Sequence, residues 1–278
     1  HNPDKAIKEM TKAIDAKNDI PTWYTELARY YDASDKDFRE CLAIFKKNID
    51  VVKEDVAAPK TLVQLYNLDG DYDHAIDLLK THHFRTWEGG REIYWYYVDA
   101  HTLKALQLMK DKKYDEAISH LETALLYPEN LEVGKPMDDE RNAMIYYYMG
   151  AVYDAMNNGK KARESYQKSV DAKNRRGMPD LLYFQAMAQE KLGHNEQAKE
   201  MFNELIKIGQ DQRENGTNGS LIAVEESSWG NNKAVSNAYY LEALGNKGFG
   251  NTVEAQQQFQ TALKEYRNNL WAKTMMEN

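Results

Sequence analysis

The chain has 278 residues, a hydrophobic share of 42%, a charged share of 29% and a formal net charge of -8. That balance fits a folded, soluble array and argues against nucleic acid or an anionic membrane surface as the main partner, because phosphate binding needs a concentrated basic face. One cysteine excludes an internal disulfide framework, and no apolar run is long enough to span a bilayer, so membrane insertion is not expected.

In chain order, the sequence opens at His1-Asn2-Pro3-Asp4, already inside a helical pattern. Ala6, Met10 and Ala13 read as the second helix of a truncated pair. The opening reads as a piece of a longer protein, with a bacterial cytoplasmic or periplasmic location left open. Tyr24, Leu27, Ala28 and Tyr31, then Phe38 to Ile49, predict a degenerate helix pair, in which Cys41 among Leu42, Ile44 and Phe45 is expected to be buried.

From Thr61 the pattern sharpens. Leu62, Val63 and Tyr66 make one helical stripe, Gly70 permits a left-handed helix end, and Ala75 with Leu79 makes a second stripe. The same phrase returns at Ala117 with Leu121, Ala162 with Tyr166 after Gly159, Ala198 with Phe202 after Gly193, and Ala255 with Phe259 after Gly250. A small alanine lets two helices approach, and the large residue one turn later fills the space beside it. The residues 268–276 predict a terminal capping helix.

The copy Tyr146-x2-Met149-Gly150-x2-Tyr153, followed by Ala162 and Tyr166, resembles the tetratricopeptide repeat (TPR), as does the Ala117 copy with Ala124 and Pro128. The resemblance implies an all-α fold: a right-handed α-solenoid of about six helix pairs, taken as one domain over 1–278. Phe84-x2-Trp87-Glu88-Gly89-Gly90, followed by Tyr127-Pro128-Glu129-Asn130-Leu131 and Gly134, is further similar to the helical tails of bacterial proteins that carry a β-sandwich domain of unassigned function upstream.

Measured against a period of about 34 residues, the spacing stretches in three places, and inserted loops often collect on the binding face. The first holds Arg85, Trp87 and Glu88. Two readings stand: Trp87 fills the gap under a long loop with Glu88 capping the next helix, or the two present a stacking ring beside an acceptor. The second holds Glu129 and Asn130 and is expected to neighbour the first. The third, 209–230, is rich in Gly, Asn and Ser, contains Trp229, and reads as a long loop or a lid.

The 19 tyrosines against 7 phenylalanines suit half-exposed surfaces, since Tyr joins an apolar body to a polar tip. Tyr147, Tyr183 and Tyr240 fall on first helices, and a shared groove lined by the three is the sharper expectation. No catalytic motif, metal-ligand spacing or cofactor fingerprint is present, so catalytic, metal and cofactor assignments are none. The leading expectation is a non-catalytic scaffold binding a protein or peptide, including its own upstream domain, through the groove and inserted loops. The alternatives are a sugar site at the Trp87 and Asn130 loops, and an accessory lobe of an enzyme completed by an absent domain.

Overall fold

The computed structural model describes residues 2–34, 36–85, 90–137, 141–173, 177–215 and 227–278. Among them there are fifteen α-helices and no strand. The chain divides into two compact units, residues 1–107 with 122–135, and residues 108–121 with 136–278.

The first unit begins with α1 (Pro3–Ala16), whose start is set by Pro3 and by the Asn2 side chain accepting from the Lys5 amide at 3.1 Å. It continues through α2 (Thr22–Asp32), α3 (Phe38–Lys47) and the short α4 (Ile49–Val52). The degenerate pair is therefore α2 with α3, and Cys41 is fully buried there beside Leu42 and Phe45. Next come α5 (Ala58–Asp69) and α6 (Tyr72–Thr81). Gly70 takes φ +82° between them, so the Asp71 amide can reach the Tyr66 carbonyl at 3.0 Å and close α5. Ala75 and Leu79 are buried, as the spacing predicts. Helices α7 (Glu92–Lys110) and α8 (Tyr114–Ala124) follow, and each has residues in both units.

The second unit stacks α9 (Asn142–Ala155) on α10 (Gly159–Asp171), α11 (Leu181–Leu192) on α12 (Asn195–Asn215), and α13 (Ser227–Gly248) on α14 (Thr252–Glu265), ending with α15 (Leu270–Glu277). Ala162, Ala198 and Ala255 are buried with Tyr166, Phe202 and Phe259, which confirms the repeating stripe. Gly193 and Gly250 hold φ +91° and +76°. Gly159 does not: it opens α10, Asn158 caps that helix by accepting from the Lys161 amide at 3.2 Å, and Asn157 supplies the left-handed residue at φ +58°. Asparagine tolerates that conformation, so the turn survives with its glycine displaced by two residues.

The long loop expected over 209–230 is corrected. Helix α12 runs to Asn215 and α13 starts at Ser227, so 209–215 and 227–230 are helical, and only 216–226 lies outside the described residues. Gly209 reads as a loop breaker in sequence but serves close packing: a Cβ there would sit 2.6 Å from the Ala238 carbonyl of α13. Gly245 does the same from the other side, where a Cβ would sit 2.6 Å from the Phe202 carbonyl. Beside this tight crossing Arg213 holds the buried Glu242 through both guanidinium arms, and Gln258 of α14 donates to the same carboxylate at 3.2 Å.

Candidate protein-interaction face

The two loops of the first unit are neighbours. The Phe84 amide donates to the Asn130 carbonyl at 2.7 Å, the His83 ring pairs with Glu132 at 2.8 Å, and Arg91 donates to the Gly134 carbonyl at 2.9 Å. Phe84 is buried under the ring of His82, whose pKa is lowered by burial and by nearby Lys53 and His83. Trp87 and Glu88 lie outside the described residues.

Asn130 has a structural role. Its side-chain amide donates to the Leu79 carbonyl at 2.8 Å and the His82 carbonyl at 2.7 Å, closing the end of α6. Both amide hydrogens are committed, so they cannot also serve a sugar hydroxyl. Arg85 and Glu129 are exposed beside it. The sequence offers no signal for this role, because a donor to distant carbonyls leaves no periodic trace.

Two further helix ends are closed in the same way. Tyr97 and Tyr94 donate to the Thr123 and Ala124 carbonyls at the end of α8, at 2.7 Å and 3.4 Å. Gln185, buried on α11, donates to the Ser169, Val170 and Ala172 carbonyls at the end of α10, at 3.2, 3.0 and 2.9 Å. The last carbonyls of a helix have no partner within it, so α6, α8 and α10 each borrow a donor from another element.

The tyrosines of the second unit follow one rule. Tyr147, Tyr183 and Tyr240 each face the large aromatic of their own second helix: Tyr166 at 6.0 Å, Phe202 at 6.1 Å and Phe259 at 6.2 Å between ring centroids. This pairing packs Tyr183 and Tyr240 inward, so they do not line an open groove. Tyr183 and Tyr240 are 4% and 3% exposed, and Tyr147 is half-buried. Burial pushes the Tyr147 hydroxyl up to about 12, helped by the nearby carboxylates of Glu190 and Asp154, so it stays protonated. The side chain of Trp229 lies outside the described residues.

What does form a continuous face is the row of first helices, α9, α11 and α13, packed side by side. Tyr148 and Phe184 meet at 5.5 Å across α9 and α11, and Tyr147 reaches the same Phe184 at 5.9 Å. Asp180 stands at the N-cap position of α11 without a side-chain cap bond. Its carboxyl is raised by burial, against the opposing pull of Arg141 and of the amides of Asp180 and Leu181. Glu190 is exposed at the other end of the same helix. Helix α15 lies against this row. Trp271 meets Phe184 edge to face at 6.4 Å, and the Tyr148 hydroxyl points at the Met275 sulfur at 3.8 Å.

The α11–α12 pair is the part that a family model recognises, with the tetratricopeptide repeat matching residues 179–211. Residues 179–211 thus match one tetratricopeptide repeat, and the other helix pairs repeat its buried alanine with a large residue one turn later. Solved structures similar to it include the Cut9–Hcn1 hetero-tetramer of the APC/C, at 13% identity and TM-score 0.41, covering 99% of this chain and 46% of that one. The chain thus spans less than half the length of that relative. The C-terminal part of a TPR protein from Cytophaga hutchinsonii matches at 15% identity and TM-score 0.39, covering 98% of this chain and 94% of that one. YrrB, described as a TPR protein with an unusual peptide-binding site, matches at 15% identity and TM-score 0.30, covering 84% of this chain and 98% of that one. Among the described residues, no helix is long and apolar enough to cross a membrane.

Proposed function

We propose that the array is a binding scaffold whose partner is a protein segment, held in helical form on the face built by α9, α11 and α13. One observation carries the reading: that face already holds a helix. An isolated helix of 8 residues, such as α15, is unstable in water, so its order depends on tertiary contacts. Those contacts come from α14 and, on the face itself, from Phe184, Tyr148, Ser236 and Lys247, and Trp271, Ala272 and Met275 are buried. A surface that orders a short amphipathic helix has the chemistry of helix-in-groove recognition, with apolar anchors for affinity. Glu190 and Asp154 beside half-buried Tyr147 add polar groups at its edge. The partner segment belongs to another protein or to another domain of the same protein.

The test is a photo-crosslinking residue at position 187 or 190 of α11, introduced into the protein in its own cells. A protein segment is expected in the adduct, and purified segment should lose binding to a Tyr148→Ala, Phe184→Ala double variant that retains its helical content. Adducts confined to the chain itself at both positions would sink the reading.

A further inference from the structure

The way α15 is held says what kind of segment the face accepts. Trp271 and Met275 are four residues apart, hence on one side of the helix, and they reach Phe184 and Tyr148 respectively. The remaining contacts read the backbone or the helix start. Lys247 on α13 donates to the Met275 carbonyl at 2.9 Å, one of the last-turn carbonyls that any helix leaves open. Asn269 caps α15 by accepting from the Ala272 amide at 3.0 Å, and its amide donates to Ser236 of α13 at 3.0 Å. Helix α15 therefore lies between an N-cap docking point at Ser236 and a carbonyl docking point at Lys247. Apart from the N-cap, the side chains seen to engage the face include one aromatic and one methionine a turn apart, with the fully buried Ala272 between them.

We propose that the α9, α11 and α13 face is a receptor for a short N-capped helix with an aromatic residue and a methionine four residues later, that α15 fills it in cis, and that the external partner is a segment of this pattern which replaces α15. The inference rests on the scaffold reading for the existence of an external partner, but not for the receptor itself. A tethered segment competes at an effective concentration of order millimolar for a short linker. The intact array should therefore exclude a weakly binding helix until α15 is released.

The experiment uses the full chain with Trp271→Ala and Met275→Ala, and a fluorescent peptide of residues 266–278 as the probe. The peptide is expected to bind the double variant at least about tenfold more tightly than the intact chain, and the Trp271→Ala peptide should not bind either. A double variant with normal helical content that fails to bind would overturn the proposal, as would equal binding to the variant and the intact chain. If the double variant does not fold, hydrogen exchange on the intact chain decides. Amides of α15 should exchange faster than those of α13 and α14, showing that α15 opens alone; equal protection would overturn the proposal. Peptide binding without a crosslinked partner would keep the receptor and remove the external ligand. A crosslinked partner without peptide binding would do the reverse.

Discussion

The side-chain amide of Asn130 sits 2.7 Å from the His82 carbonyl and 2.8 Å from that of Leu79, so one residue of a loop closes a helix lying about fifty positions earlier. Replacing it by alanine should leave two carbonyls without their donor, at a cost of about 1–3 kcal/mol. Asparagine to aspartate should cost at least as much, since a carboxylate faces the carbonyls with no hydrogen to give. The denaturant midpoint of the first unit measures this. An unchanged midpoint in both variants would contradict this structural role.

Gly245→Ala should destabilise the second unit by about 1–3 kcal/mol, the usual effect of overpacking. The new methyl group would meet the Phe202 carbonyl at 2.6 Å and Ile206 at 2.5 Å, and a backbone oxygen cannot swing aside. Gly70→Ala should differ in kind: nothing lies within 4 Å of a Cβ there, so its cost comes from the +82° φ alone. Comparing both melting points against the parent separates crowding from backbone strain.

The Cys41 thiol is fully buried, and burial pushes its pKa well above the ordinary thiol value. Thiolate is the reactive form, so native protein should resist a maleimide or disulfide reagent, and labelling should track opening of the α2–α3 region. Immediate stoichiometric labelling at neutral pH would contradict this packing.

Burial holds the Asp180 carboxyl above the usual aspartate range, and Arg141 only partly offsets it. The folded chain therefore binds this proton more tightly than the unfolded chain. Stability from this group is greatest below the ordinary aspartate pKa of about 3.9 and falls as pH rises from there through the folded value. Asp180→Asn, which keeps the shape and removes the charge, should raise the melting temperature at pH 7, with the gain fading toward pH 3. A variant less stable than the parent at pH 7 would mean that Arg141 and the helix amides outweigh desolvation.

The helical stripe was legible because burial and periodicity are the same fact: Ala75, Ala117, Ala162, Ala198 and Ala255 are all buried with the large residue four positions later. The face of each tyrosine was not. Tyr183 and Tyr240 have the polar tip of a groove residue, and only the distance to Phe202 and Phe259 shows them packed inward. Gly209 misled for a related reason. Glycine marks both a turn and a close crossing, and local sequence does not say which. The cross-chain donors Asn130, Tyr97 and Gln185 were invisible, since their acceptors are backbone atoms present at every residue.

Gln185 also decides where this array can be cut. A fragment ending at Lys173 would contain every residue of α9 and α10, yet would leave the carbonyls of Ser169, Val170 and Ala172 without the side chain that satisfies them. A fragment carried on to Leu192 would keep that side chain. The modular boundary is therefore offset from the helix-pair boundary by most of one helix, and excised or transplanted segments should end after a donor helix instead of at the turn preceding it.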